Sequence, residues 1–164
     1  MSAQIRIRPA TDADNAAIWR MIEPVIRAGE TYPLPRDMSE HDAVRYWRQP
    51  AYETFVAEQN GEIVGTYYLR ANQQGGGAHV ANCGYVVATS AFGRGVARAM
   101  CTHSLNQARQ QSFTAMQFNF VIASNERAVR LWQGLGFIIV GRLPGAFQHP
   151  RLGIVDAYVM MRNL

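Results

Sequence analysis

A chain of 164 residues, 48% of them hydrophobic, is long enough to close one domain around its own core. Its 16 basic and 12 acidic side chains give a formal charge of +4. No basic run concentrates that excess into a nucleic-acid footprint, while a modest positive balance suits an anionic small ligand. Two cysteines make no disulfide framework, the N-terminus is no signal peptide, and no apolar run approaches the ~20 residues that span a bilayer. A cytoplasmic, reducing setting without nucleic-acid or membrane partners is the expectation.

Gln4 to Arg8 alternates, with Ile5 and Ile7 on one side, and predicts a short strand. Thr11-Asp12-Ala13-Asp14 has the form of a capping box with Asp in place of Glu. Ile18, Trp19, Ile22, Val25 and Ile26 then space out the buried stripe of a first helix, which Gly29 can stop. Glu30 to Met38 carries two prolines and predicts an irregular loop. Ser39 with Asp42 opens a second helix through Val44, Tyr46 and Trp47 to about Gln49, closed by Pro50. A strand from Tyr52 to Gln59, the Asn60-Gly61 turn and a strand from Glu62 to Arg70 make a hairpin. Gln73 to Gly77 is a flexible loop, too short to separate domains.

The strand expected from His79 to Ala88 leads into the stretch around which the chain is organised. Tyr85-Val86-Val87 suits a buried strand. Phe92-Gly93-Arg94-Gly95-Val96-Ala97 then brackets an arginine with two glycines. Apolar Val96, Ala97, Met100, Cys101, Leu105 and Ala108 mark one face of the helix that follows. At such a junction several backbone N–H groups lack intrahelical partners, and the helix dipole favours negative charge. A phosphate or pyrophosphate is the natural occupant. A tight turn whose glycines only relieve strain accounts for the same residues equally well.

A β-rich run from Met116 to Ile122 precedes a second such stretch, Ala123 to Phe137. Ile138 to Arg142 and Ile154 to Met161 read as terminal strands joined by a Gly/Pro-containing loop. The predicted architecture is α+β: one domain over 1–164, with a mixed, mostly antiparallel central sheet flanked by helices.

Together the two stretches resemble the GCN5-related N-acetyltransferase (GNAT) family. Its acetyl-coenzyme A loop, Gln/Arg-x-x-Gly-x-Gly/Ala, is matched from Phe92 to Ala97 except at the first position. Its later motif, Asn-x-x-Ala, an aromatic and Leu-Gly-Phe, is matched by Asn125, Ala128, Trp132, Leu135, Gly136 and Phe137. The resemblance implies acetyl-coenzyme A (acetyl-CoA) as co-substrate and direct transfer to an amine in a ternary complex. It implies that Gly93, Arg94, Gly95, Val96, Ala97 and Arg98 present backbone N–H groups to the pyrophosphate. Arg94 and Arg98 could add charge-assisted contacts, and each reads equally well as a solvated surface charge. Tyr85, Val86 and Val87 would pair with the pantetheine arm, one N–H polarising the acetyl carbonyl. Asn125 would contact the cofactor while also capping its helix.

Trp132 departs from the pattern, standing where many members carry a Tyr that protonates the leaving thiolate. Indole is a donor but no useful acid. It is therefore expected to pack beside the pantetheine arm, and a non-catalytic acetyl-CoA-binding module remains an alternative. Asn82 and Asn119 sit within apolar strands, where an unpartnered amide is costly. This part of the chain resembles the subgroup of the yeast L-azetidine-2-carboxylate N-acetyltransferase, which acetylates small amino-acid-like amines. On that likeness Asn82 and Asn119 are acceptor-pocket or catalytic residues; an internal hydrogen bond bridging two strands is the alternative. Cys83 lacks a neighbouring His/Asp pattern and is not read as a nucleophile. Glu30, Glu53, His79 and Asp156 are candidate bases, and none is singled out. The expected partner is a small-molecule amine, with a protein or peptide amine as the alternative. A homodimer is left open, and no metal is expected.

Overall fold

The computed structural model describes residues 4–164. Seven strands, β1 (Arg6–Pro9), β2 (Glu53–Gln59), β3 (Glu62–Ala71), β4 (Val80–Val87), β5 (Ala115–Ile122), β6 (Ile138–His149) and β7 (Gly153–Asn163), form one sheet. Their order is β1-β2-β3-β4-β5-β7-β6, and only the β4–β5 pair is parallel. Four α-helices, α1 (Asn15–Ala28), α2 (Glu40–Trp47), α3 (Val96–Gln110) and α4 (Glu126–Gly134), cover the sheet. Strand alternation divides the core in two. Ile18, Ile22 and Ile26 of α1 and Trp47 of α2 pack with Val56, Tyr68 and Val86. On the other face Val96, Met100 and Leu105 of α3 pack with Phe55, Tyr67 and Phe118. The predicted α+β architecture is the one found.

Local signals explain most boundaries. Asp14 accepts from the Thr11 N–H at 2.7 Å, and with the Thr11 side chain set toward the Asp14 N–H the expected capping box is present. Gly29 takes φ +66° as the C-cap of α1, and Ser39 Oγ accepts from the Asp42 N–H to cap α2. Asn60 and Gly61 both have positive φ, as the two-residue hairpin between β2 and β3 requires. The expected loop after Arg142 is a departure. Residues 143–147 stay within β6 as an irregularity in its register with β7. Since β6 is the last strand of the sheet, Pro144 costs no ladder bond on its open side. Asp156 holds this bulge by accepting from the Gly145 N–H at 2.8 Å and from Arg142. Among the described residues no helix is long and apolar enough to cross a membrane. No group of three or more His, Cys, Asp or Glu there could hold a metal ion.

Gly84 on β4 is needed for space. A Cβ there would fall 2.6 Å from Tyr68 Cε1 and 2.8 Å from its Oη. The Tyr68 ring cannot retreat easily, being wedged between Trp47 at 4.9 Å and Tyr52 at 4.7 Å between centroids. Gly84→Ala is therefore expected to cost ~1–3 kcal/mol by overpacking, read by urea denaturation with unchanged m-value. A loss below ~0.5 kcal/mol would show that the ring has room to move.

Candidate active site

The site begins where two strands part. β4 and β5 pair through Val80–Ala115 and Ala81–Met116 and then separate. At the fork the Asn82 amide replaces the next ladder bond, its Nδ2 donating to Gln117 O at 2.9 Å. Beyond it the two strands expose unpaired backbone edges to the gap. The β3–β4 ladder decides which groups those are. Ala88 N–H donates to Val64 O, so even-numbered β4 residues turn their backbone groups to β3 and odd-numbered ones turn away. Of the three residues expected along the pantetheine arm, Tyr85 and Val87 satisfy that geometry. Val86 does not: its N–H and C=O belong to the pairing with Thr66. Antiparallel alternation alone sets which backbone groups face the gap.

Tyr85 already has a partner. Tyr32, from the loop between α1 and α2, accepts from the Tyr85 N–H at 2.9 Å and donates to its C=O at 3.0 Å. Burial pushes the Tyr32 phenol well above its ordinary pKa, so it stays a neutral hydroxyl. That loop was expected to border a pocket, yet Tyr32 itself was not singled out. Its sequence separation of 53 residues from Tyr85 leaves no local signal.

On one side of the fork lies a groove of about 630 Å³. Gly93, Gly95, Val96, Ala97, Arg98, Asn125, Trp132, Tyr85, Val86 and Val87 all reach it, so it collects most of the expected cofactor residues. Arg94 is exposed and does not line it. Arg127 and Arg130, not foreseen from the sequence, do. Arg130 is paired with Glu126 at 2.6 Å, and the Arg127 guanidinium lies 5.9 Å from the Phe92 ring centroid. The start of α3 is open to an anion. Its first intrahelical donor is the Ala99 N–H, which reaches Gly95 O, and Gly95 as N-cap has no side chain to satisfy the donors before it. The Val96, Ala97 and Arg98 N–H groups thus face a groove carrying three arginines. A Cβ on Gly95 would meet no protein atom within 4 Å, so its Cα opens onto free space. The phosphates of acetyl-CoA fit this donor set.

On the other side lies a smaller cavity of about 260 Å³. Asn82 and Asn119 both line it, and both have their amides engaged. Asn82 bridges the strands as above and accepts from Arg70 Nε at 3.0 Å. Asn119 donates to Asn72 Oδ1 at 2.6 Å and accepts from Gln117 Nε2 at 3.0 Å. The strand-bridging alternative is therefore realised at Asn82. Cys83 also lines the cavity, but burial pushes its thiol up to about 12, which leaves no thiolate to act as a nucleophile. None of the four candidate bases lines it. Glu30 pairs with Arg151 at 2.8 Å, Glu53 accepts from Gln111, Asp156 holds the β6 bulge, and His79 is exposed.

Thr31, Tyr32, Tyr85, Asn125, Ala128 and Trp132 line both spaces. The Trp132 ring packs 5.1 Å from both Tyr85 and Phe118. Asn125 caps α4, its Oδ1 accepting from the Ala128 N–H at 3.3 Å, which leaves its Nδ2 as a donor at the junction.

The sequence profile of the acetyltransferase (GNAT) family matches residues 17–137. The chain belongs to that family. N-acetyltransferase aca1 of Schizosaccharomyces pombe is 26% identical over 151 residues, covering 82% of this chain and 72% of the relative. The solved structure of a GCN5-related N-acetyltransferase from Kribbella flavida is 40% identical and covers 98% of each chain, with a TM-score of 0.93. The structure of yncA from Salmonella typhimurium, solved with acetyl-CoA, shares the fold at a TM-score of 0.85 and 22% identity. It covers 99% of this chain and 95% of that one. This GNAT protein is thus an acetyl-CoA-dependent N-acetyltransferase, and acetyl-CoA is its co-substrate. A merely non-catalytic binding module is set aside.

The open Cα of Gly95, at φ +81°, gives a direct test of the groove. Gly95→Val should weaken coenzyme A binding at least about tenfold, since a β-branched residue both strains that φ and fills the approach to the α3 donors. Phe92→Gln should bind within about threefold of the parent, because the cradle is backbone. Calorimetry on folded variants reads both. Unchanged affinity in Gly95→Val would remove the turn from the site.

Proposed function

We propose that this acetyltransferase passes acetyl directly from acetyl-CoA to a primary or secondary amine of a small amino-acid-like molecule. The observation that carries the reading is the wall shared by the groove and the smaller cavity. Its six residues include Tyr85, Asn125 and Trp132. Two reactants, one in each space, would meet there, and proximity of that kind is worth several kcal/mol of barrier. The size of the second cavity, about 260 Å³, lies below the ~300–1,000 Å³ usual for drug-sized ligands and favours a small acceptor over a folded protein.

Acetyl-CoA supplies an acyl group already activated as a thioester. The Val96, Ala97 and Arg98 N–H groups and the arginines of the groove hold its phosphates. On β4 the Val87 N–H, and the Tyr85 N–H once Tyr32 yields it, are the donors turned toward the arm that carries the acetyl carbonyl. The acceptor nitrogen forms the new C–N bond, the C–S bond breaks, and the thiolate leaves. Asn125 Nδ2 can donate to that sulfur, and Trp132 packs beside it without supplying a proton. The amine's proton goes to water, since no carboxylate or imidazole lines the cavity among the described residues. The elevated Cys83 pKa agrees with direct transfer and not with an acyl-enzyme on that thiol.

The test is turnover with free amino and imino acids, L-azetidine-2-carboxylate among them, against peptides presenting the same N-terminal residues. Free acceptors should lead by at least about tenfold in kcat/KM. A preference for the peptides would assign the enzyme to protein or peptide amines.

A further inference from the structure

Arg70 is the penultimate residue of β3, a position from which a long cationic side chain usually reaches solvent. The fold uses it differently. It lines the acceptor cavity and, among the described residues, is the only charged side chain to do so. The rest of that lining is aromatic, aliphatic, thiol, hydroxyl and carboxamide. No Asp or Glu among the described residues lies within ion-pair distance of the Arg70 guanidinium.

Its orientation is fixed on two sides. Across the β3–β4 ladder Arg70 stands opposite Asn82, and its Nε donates to Asn82 Oδ1 at 3.0 Å. The Asn82 amide cannot turn over to repel it, because Nδ2 is held by Gln117 O at 2.9 Å. The guanidinium also lies 5.5 Å from the Tyr52 ring centroid. Only Nε is consumed by these contacts. The Nη1 and Nη2 groups keep four N–H donors in a planar fork, the geometry that takes both oxygens of a carboxylate. A part-buried cation without a counter-charge is costly unless a ligand provides one.

We propose that Arg70 binds the acceptor's carboxylate, which makes the substrate a free amino or imino acid and not an amine at large. Asn82 is then a positioning residue acting through Arg70, which explains why both its polar atoms are spent inside the protein. The proposal rests on the reading of this cavity as the acceptor site. It adds a rule of chemistry: the amine must carry a nearby anion, and masking that anion abolishes recognition.

The experiment compares kcat/KM for L-alanine, L-proline and L-azetidine-2-carboxylate with their carboxamides, at saturating acetyl-CoA, in the parent enzyme, Arg70→Gln and Arg70→Lys. Alanyl peptides are measured alongside. For at least one accepted amine the parent should prefer the acid over the amide by about 10–100-fold, mainly through KM, the worth of a hydrogen-bonded charge pair. Arg70→Gln should bring that ratio below about threefold, and Arg70→Lys should recover part of it by restoring charge without the fork. Thermal melts confirm that each variant is folded, and Arg70→Lys decides the matter if Arg70→Gln is not. A parent ratio near one, or a ratio that survives in the folded variants, overturns the carboxylate role while leaving a small-molecule acceptor standing. Turnover confined to peptides overturns the acceptor reading and this proposal with it.

Discussion

Everything in this molecule that bears on function follows from the early parting of β4 and β5. Two parallel strands that stayed paired would form an unbroken sheet with no place for a ligand between them. Here the ladder stops after Ala81–Met116, and the Asn82 side chain takes over the bond that the backbone gives up. The exposed edge of β4 is then a line of donors and acceptors in need of partners. Tyr32 supplies one pair from a distant loop. An extended ligand with amides of its own can supply the same kind of pairing, as strand addition does generally.

The groove carries several cations, while among the described residues the cavity sets one, Arg70, amid neutral groups. The groove gathers Arg98, Arg127 and Arg130 around uncapped helix donors, a setting for phosphates. The cavity is built largely from amides and rings, and burial holds the Cys83 thiol and the Tyr32 phenol in their neutral forms. Trp132 completes the same picture: it fills space between Tyr85 and Phe118, where an acid in its place would have supplied a proton.

The fold was legible because each element carries a local signal: caps at Gly29 and Ser39, the Asn60-Gly61 turn, and apolar faces at the right period. The groove was legible for the same reason, since Gly93, Gly95, Val96, Ala97, Arg98 and Asn125 are contiguous with their own helices. Residues 143–147 misled because Pro144 and Gly145 look alike in a loop and on an edge strand, and edge position is a property of the whole sheet. Tyr32 and Arg70 were hidden for a related reason. One acts on a strand 53 residues away, and the other gains its meaning only when the β3–β4 register sets it against Asn82. Asn82 and Asn119 drew notice as polar residues in apolar strands. Which polar atoms were already spent could be read only from their partners.

The central claim is that the β4–β5 fork receives the acetyl-bearing arm and that Tyr32 holds its place until then. A crystal structure with acetyl-CoA bound tests it most directly. The account predicts cofactor amides against the outward backbone of Tyr85 and Val87, with Tyr32 Oη released from at least one of its two bonds to Tyr85. A bound cofactor that leaves both Tyr32 bonds intact and makes no contact with β4 backbone would contradict it.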